Sequence, residues 1–163
     1  MDEDRLRQLA DKLSEYCIAQ RHMLMTAESC TGGWVAKICT DLPGSSSWFE
    51  QGFVTYSNKA KQSMLGVSAQ TLSQHGAVSG AVVREMVAGA LEHGNGDLAV
   101  AISGIAGPGG GTHFKPRGTV WVAWQLDDGE ATAQRFHFEG DRAAVRFQAV
   151  EAALKGLIEL VRD

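Results

Sequence analysis

The sequence predicts a three-layer α/β/α domain built on a mixed, mostly parallel sheet. Three observations predict it: amphipathic helical segments alternate with short β-forming runs, one such run is nearly all apolar, and two later runs are joined by a turn signal. A nearly all-apolar strand is typical of a sheet centre that is covered on both faces. The 163 residues, 44% of them hydrophobic, suit one core, so we expect a single domain over residues 1–163.

The first half of the chain predicts alternating helices and strands. Apolar residues recur at helical spacing at the start, and Pro43-Gly44 ends the second helix. Gly52 lies inside a β-forming run, which indicates a bulge or a close backbone approach. The predicted elements are a helix containing Leu6, Leu9, Leu13 and Cys17, a strand at 22–27, a helix at 34–39, a strand at 48–56, a helix at 59–65 and a helix after Ser68.

The second half predicts the centre of the sheet and the longest later helices. Residues 98–102 are the apolar run expected of a central strand. Ser79 and Asp141 are residue types that cap helix N-termini, so a helix is expected after each. Two further strands are predicted near 119–126 and 131–138, joined by the hairpin signal around Asp127-Asp128-Gly129.

Charge and hydropathy exclude several classes of protein. The net charge of −4, without a basic stripe interleaved with aromatic residues, argues against nucleic-acid binding. No apolar run is long enough to span a bilayer, and the charged, amphipathic start of the chain is not typical of a signal peptide. We therefore expect neither a nucleic-acid partner nor a membrane partner.

Cysteine and histidine usage argues against disulfides and against a metal site. The three cysteines are an odd number without zinc-finger spacing, which favours a reducing, cytoplasmic location. The five histidines are scattered, and no two have the i, i+4 spacing of a helical metal site. The sequence predicts no metal and no cofactor.

Three glycine-bearing loops, at residues 29–33, 44–47 and 103–111, each follow a strand or open a helix. In open α/β sheets, ligands bind at loops beyond the strand ends, and glycine lets backbone N–H groups approach an anion or oxyanion. Turn chemistry alone explains one such loop, but three in one small domain predict a ligand site. Neither the P-loop spacing nor the dinucleotide-binding fingerprint is present.

Tyr56 and Lys61 are the first candidate pair, one at a predicted strand end and the other in the next helix. A lysine desolvated in a cleft loses proton affinity and can activate a serine hydroxyl, although spacing alone favours a solvated lysine. Glu28, Cys30 and Lys61 are the residue types of a Cys–Lys–Glu amidase. Burial of a structural thiol is the commoner reason for a free cysteine.

Arg142 follows the predicted N-cap Asp141 at the start of the last helix. Free N–H groups and a guanidinium at this place favour a phosphate, and a solvated first-turn arginine is the equal alternative. Lys115 and Arg117 are further cations near the third glycine loop.

Three stretches of the sequence resemble those of one protein family. They are Thr26-Ala27-Glu28-Ser29-Cys30-Thr31-Gly32-Gly33, Gly52-Phe53-Val54-Thr55-Tyr56-Ser57-Asn58-Lys59-Ala60-Lys61 and Ser103-Gly104-Ile105-Ala106-Gly107-Pro108. In this order, within a match over nearly the whole chain, they resemble the C-terminal domain of bacterial competence-damage-inducible proteins, whose stand-alone members include nicotinamide-nucleotide amidases. The resemblance implies an α/β/α fold and hydrolysis of nicotinamide mononucleotide to nicotinate mononucleotide and ammonia in pyridine nucleotide salvage. It also implies no metal and a homodimer or higher homo-oligomer.

The same resemblance implies roles for individual residues. The implied catalytic residues are Ser46, Ser29, Tyr56 and Lys61, and the implied substrate-binding residues are Gly44, Ser103, Gly104 and Arg142. Ser46 is predicted as the nucleophile with Ser29 in support, and Lys61, through Tyr56, as its base. Arg142 is expected to bind the 5′-phosphate and the glycine-loop N–H groups the oxyanion. Ser103 stands where the family often has threonine.

Two alternatives remain open from the sequence. The nucleophile is Ser29 or Cys30 instead of Ser46, or the chain is a nucleotide-binding module of the same fold without turnover.

Overall fold

The computed structural model describes residues 1–127 and 129–162. Asp128, the middle residue of the predicted hairpin connection, lies outside the described residues. The helices are α1 (Glu3–Gln20), α2 (Trp34–Thr40), α3 (Asn58–Leu65), α4 (Ala69–His75), α5 (Gly80–His93) and α6 (Arg142–Val161). The strands are β1 (Leu24–Glu28), β2 (Phe49–Val54), β3 (Leu98–Gly104), β4 (Thr119–Leu126) and β5 (Thr132–His137). A 3₁₀ helix, Ser45–Ser47, precedes β2.

The strands form one mixed sheet in the order β2-β1-β3-β4-β5. Strand β1 pairs in parallel with β2 and β3, whereas β4 pairs antiparallel with β3 and β5. In the described part of the chain, four of the five strands therefore run in one direction and β4 runs against them. The predicted mixed, mostly parallel sheet is confirmed in strand direction, while its pairings divide evenly between the two types.

The two faces of β3 lie in separate cores, as the run of apolar residues predicts. Leu98, Val100 and Ile102 pack in a cluster with α1, α2 and α6. Ala99 and Ala101 pack on the other face in a cluster with α3, α4 and α5. Because successive side chains of a strand point to opposite faces, this arrangement makes three layers and confirms the predicted architecture.

Three predicted local features explain how the helices and strands are placed. Ser79 Oγ accepts a hydrogen bond from Val82 N at 3.2 Å, and Asp141 Oδ1 accepts one from Ala144 N at 2.9 Å, so both predicted caps begin helices. A Cβ at Gly52 would lie 2.9 Å from the Thr26 hydroxyl oxygen. The predicted close approach is thus present at Gly52, and the register of β2 on β1 also shifts two residues earlier, between Phe49 and Gln51.

The parallel strands β1, β2 and β3 end together at what we call the carboxyl edge of the sheet. Glu28 pairs with Val54 on one side and with Ile102 on the other. The opposite, amino edge has Leu24 beside Phe49 and Leu98. Over residues 1–127 and 129–162, no helix has the length and apolar character needed to cross a membrane.

Candidate active site

A small cavity of about 180 Å³ opens at the carboxyl edge of the sheet. Its walls come from the segments that follow β1 and β2, from the end of β3, and from the first turn of α3 and the loop before α5. The lining residues are Ser29, Cys30, Tyr56, Asn58, Lys61, Ala77, Val78, Ser103 and Gly104. This is the place where ligands bind in open α/β sheets.

Lys61 is the polar centre of this cavity, and its side chain is only 1% exposed. Its Nζ lies 3.0 Å from Ser29 Oγ and 3.0 Å from the backbone oxygens of Thr55 and Tyr56. Ser57 caps α3 by accepting a hydrogen bond from Ala60 N at 3.0 Å. The helix that starts at this cap carries Lys61 back to the carboxyl edge. The structure therefore brings together the predicted Ser29 and Lys61.

Burial lowers the pKa of the Lys61 ammonium below its ordinary value, because leaving water disfavours the charged form. Within the described ranges, Lys61 forms no ion pair with a carboxylate that would restore the charge. A neutral amine has two N–H donors and one lone pair. The two carbonyls accept from Nζ in either protonation state, and Ser29 Oγ lies at the third position, where it accepts from an ammonium and donates to the lone pair of a neutral amine. Burial is what favours the neutral form that can act as a base.

Ser29 is held at the carboxyl edge by its own backbone and by its neighbours. Its N–H donates to the Ile102 carbonyl at 3.0 Å, which ties it to β3. Glu28 is fully buried, and its Oε1 accepts hydrogen bonds from Thr31 Oγ1 at 2.7 Å and Val35 N at 3.0 Å. This carboxylate anchors the loop to the start of α2 and does not contact Lys61, so the predicted Cys–Lys–Glu grouping is not formed.

Cys30 lines the cavity but is 5% exposed. Burial raises the pKa of its thiol to about 12, and the nearby guanidinium of Arg146 only partly opposes this rise. Since the thiolate is the nucleophilic form, a thiol that stays protonated at neutral pH is a poor attacking group. The geometry and electrostatics favour Ser29 over Cys30.

Tyr56 contributes through its backbone carbonyl, whereas its phenol points elsewhere. The side chain is 60% exposed, and its hydroxyl accepts a hydrogen bond from Arg142 Nη2 at 3.1 Å. Arg142 Nη1 donates to the Gly107 carbonyl at 2.7 Å, so this guanidinium links the β2 end to the third glycine loop. The predicted relay from serine to Lys61 through the Tyr56 phenol is wrong, because Lys61 Nζ reaches Ser29 Oγ directly.

Ser103 and Gly104 lie where the sequence predicts, on the β3 side of the cavity. Ser103 is almost fully buried within the cavity wall. A Cβ on Gly104 would come within 2.6 Å of Val120 Cγ2 on the neighbouring strand. The close packing of β3 on β4 thus requires glycine at this point of the wall.

Ser46 and Gly44 lie at the other end of the sheet, and the structure does not bring them to Lys61 within one chain. They belong to the segment just before β2, where the Trp48 carbonyl accepts a hydrogen bond from Leu24 N at 2.8 Å. Strand β2 separates this amino edge from the carboxyl edge by roughly 16 Å at the usual rise per residue. Ser46 is also exposed. Within one chain, the predicted placement of Ser46 beside Lys61 is therefore wrong, and the role of Ser46 as nucleophile stays a prediction.

The sequence reasoning missed part of the cavity wall. Asn58 lies in the 52–61 stretch that resembles the family, and no spacing or residue-type signal in the sequence distinguishes it as a wall residue. Ala77 and Val78 come from the loop before α5, and small apolar residues in a loop have no sequence signal for a site. The described residues contain no cluster of three or more histidine, cysteine, aspartate or glutamate side chains that is arranged to hold a metal ion.

Comparison with known proteins shows the family to which the chain belongs. The CinA C-terminal domain matches residues 6–161. The nicotinamide-nucleotide amidohydrolase PncC of Escherichia coli K12 is 55% identical over 157 residues, covering 96% of this chain and 95% of that protein. PncC of Pseudomonas putida is 50% identical and covers 96% and 98% of the two chains.

Two solved structures have the same fold. The competence/damage inducible protein of Agrobacterium tumefaciens superposes with a TM-score of 0.95 at 39% identity, covering 99% of this chain and 98% of that one. The CinA superfamily protein of Klebsiella pneumoniae superposes with a TM-score of 0.92 at 42% identity, covering 96% and 97%. This chain belongs to the CinA C-terminal domain family.

Proposed function

We propose that this chain hydrolyses the carboxamide of nicotinamide mononucleotide, giving nicotinate mononucleotide and ammonia for pyridine nucleotide salvage. The single observation that carries the proposal is the buried amine of Lys61, 3.0 Å from Ser29 Oγ inside a cavity at the carboxyl edge. The names of the PncC relatives support the substrate. The size of the cavity suits one pyridine carboxamide with its nucleotide part extending outward.

The first half of the reaction forms an acyl-enzyme on Ser29. Neutral Lys61 takes the Ser29 hydroxyl proton as Oγ attacks the carboxamide carbon, and the carbonyl oxygen becomes an oxyanion. The oxyanion then collapses, the C–N bond breaks, and the Lys61 ammonium gives its proton to the departing nitrogen. Ammonia leaves, and Lys61 is neutral again.

The second half returns the enzyme to its starting state. Water attacks the ester carbonyl while Lys61 removes one of its protons, and the new tetrahedral oxyanion collapses with cleavage of the bond to Ser29 Oγ. The proton on Lys61 passes to the serine oxygen, and the product acid gives its remaining proton to solvent and leaves as a carboxylate. No metal and no cofactor enters either half.

The cavity walls supply the polar groups that this chemistry needs. Ser103 and the backbone at Gly104 face the same cavity as Ser29 and are suited to hold the carboxamide. Backbone N–H groups of the glycine loops 29–33 and 103–111 are the oxyanion donors in this proposal, each worth about 3 kcal/mol in the transition state.

Arg142 is the phosphate ligand in this proposal. It is the first residue of α6, where unpaired helix N–H groups and the positive end of the helix dipole favour an anion. Arg142 is exposed, and its guanidinium contacts the Gly107 carbonyl and the hydroxyl of Tyr56, a residue that lines the cavity. A phosphate oxygen can replace or add to these neutral acceptors with a charge-assisted hydrogen bond.

Ammonia release from nicotinamide mononucleotide, measured in the presence of a chelator, tests the proposal. Ser29→Ala should abolish release, and Ser46→Ala is the matched control because its hydroxyl lies at the amino edge. The result that overturns the proposal is full activity in Ser29→Ala. Tight binding of the nucleotide by the wild-type chain without ammonia release over hours would leave the role of a nucleotide-binding module.

The assembly is a separate part of the proposal. The family resemblance implies a homodimer or higher homo-oligomer, and light scattering of the purified chain measures it.

A further inference from the structure

A second arginine of α6 contacts the loop that carries Ser29. Arg146 lies one helical turn after Arg142, and its Nε donates to the Cys30 carbonyl at 2.9 Å. Its Nη2 donates to the Thr31 carbonyl at 3.2 Å. Resting on the proposed function, we infer that Arg146 is a positioning residue, which holds the Ser29–Thr31 backbone so that Ser29 Oγ stays against Lys61.

The two contacts of Arg146 fix the peptide units that follow the nucleophile. A peptide is planar, so each carbonyl held by the guanidinium fixes the orientation of a whole unit. The unit before Ser29 is fixed from the other side, because the Ser29 N–H donates to Ile102. The unit directly after Ser29 is held by Gly32, whose N–H donates to the Ser29 carbonyl at 3.0 Å. With the Arg146 contacts on the next two units, these hydrogen bonds restrain the backbone on both sides of the serine and with it the direction of the Oγ atom.

The loop needs such a restraint because it continues into two glycines. Gly32 and Gly33 have φ of 60° and 98°, a region that glycine enters as readily as the ordinary one. Glu28 holds the loop from the α2 side through Thr31 Oγ1 at 2.7 Å. Arg146 holds the loop from α6, so the loop is held by one side chain on each side.

The surroundings of Arg146 are those of a positioning residue and differ from those of a solvated surface cation. In the described part of the chain it has no carboxylate partner, and its guanidinium lies over the Trp34 ring at 5.5 Å from the centroid. The planar guanidinium stacks on an aromatic ring and donates to two acceptors at once. A lysine ammonium keeps the charge but cannot stack as a plane and lacks the fixed fork of two N–H donors, which makes Arg146→Lys an informative variant.

Kinetics separate positioning from substrate binding. Arg146→Met is expected to lower kcat about 100-fold, as a small misplacement of a reacting group does, with KM for nicotinamide mononucleotide changed less than about threefold. Arg146→Lys should fall between wild type and Arg146→Met. Lys155→Met removes a cation from the same helix at an exposed position and is the matched control.

Thiol labelling gives a readout that does not depend on activity. Cys30 lies within the loop that Arg146 anchors, whereas Cys17 belongs to α1 and Cys39 to α2. All three thiols are buried. In Arg146→Met, alkylation of Cys30 by iodoacetamide should be at least about tenfold faster than in wild type, with Cys17 and Cys39 unchanged. Peptide mapping by mass spectrometry reads all three cysteines in one sample.

Two results overturn the inference. One is wild-type kcat in Arg146→Met. The other is equal acceleration of labelling at all three cysteines together with a lowered melting temperature, which is the signature of general destabilisation. If the wild-type chain releases no ammonia, the proposed function fails, and selective labelling of Cys30 still decides whether Arg146 holds the loop.

Discussion

The two edges of the sheet carry similar residues in different surroundings. The carboxyl edge has the loop Ser29–Gly33, and the amino edge has the loop Gly44–Ser47, each with serine and glycine. Only the first lies beside a buried lysine, since α3 leaves the carboxyl end of β2 and folds back over it. The contrast teaches that strand direction, rather than loop composition, decides which serine can meet a base in this fold.

The largest effects are expected where the two edges differ most. Lys61→Met should lower kcat/KM for nicotinamide mononucleotide by about 10⁴-fold or more, because without a base the serine keeps its proton. Ser46→Ala should stay within about twofold of wild type. Steady-state ammonia release measures both variants, and circular dichroism checks that Lys61→Met remains folded. Comparable losses in the two variants would remove the distinction between the edges.

The next largest effect is expected from Arg142, which lies beside the cavity at the carboxyl edge. Arg142→Met should raise KM for nicotinamide mononucleotide about 10- to 100-fold, the usual worth of a hydrogen bond between charged groups. Nicotinamide riboside lacks the phosphate, so its KM should be nearly the same in wild type and variant. An equal loss for both substrates would argue that Arg142 supports Tyr56 and Gly107 and does not bind phosphate.

The pH dependence tests the electrostatics of the buried amine. The pKa of Lys61 is lowered from the ordinary 10.5 by burial, and the neutral form is the base. The kcat/KM should therefore fall as pH drops below this lowered pKa and level off above it. The apparent pKa of the acidic limb comes from initial rates across a buffer series, and no inflection below 10.5 would contradict a desolvated Lys61.

The pH dependence of folding stability should also reflect Lys61, and its sign follows from the lowered pKa. Between the lowered pKa and 10.5, the unfolded chain binds more protons at Lys61 than the folded chain does. The contribution of this group to the free energy of unfolding therefore rises with pH across that window. The energetic cost of burying the ammonium is fully present below the lowered pKa.

Most of the fold follows from sequence patterns because those patterns are local. The apolar run of β3 and the N-caps Ser79 and Asp141 depend on a few neighbouring residues, and the structure has all three features. The direction of one strand relative to the next is not local, so sequence patterns do not show that Ser46 and Lys61 lie at opposite edges. They place the glycine loops 29–33 and 44–47 beside strands without specifying the edge.

The parts of the site that sequence reasoning missed depend on packing between layers. Arg146 meets the Cys30 and Thr31 carbonyls only because α6 packs beside α2 and β3. Lys61 and Ser103 lie in stretches that resemble the family and Arg142 follows a predicted N-cap, whereas the wall residues Ala77 and Val78 belong to no motif. A site built from several layers is thus only partly visible in a single sequence.

The smallest effect is expected at the cysteine beside the nucleophile. Cys30→Ala should retain kcat within about threefold of wild type, because burial keeps this thiol protonated and Ser29 performs the attack. Ammonia release under saturating substrate measures it, with Cys39→Ala as the control for the loss of a buried thiol. Loss of activity in Cys30→Ala but not in Cys39→Ala would favour Cys30 as the nucleophile.

Trapping the covalent intermediate tests the central claim most directly. Wild-type chain mixed with nicotinamide mononucleotide and quenched in acid within the first turnover can be digested and mapped by mass spectrometry. The account predicts a nicotinoyl nucleotide ester on the peptide that contains Ser29, localised to its hydroxyl. An adduct on Ser46 or Cys30 would contradict it.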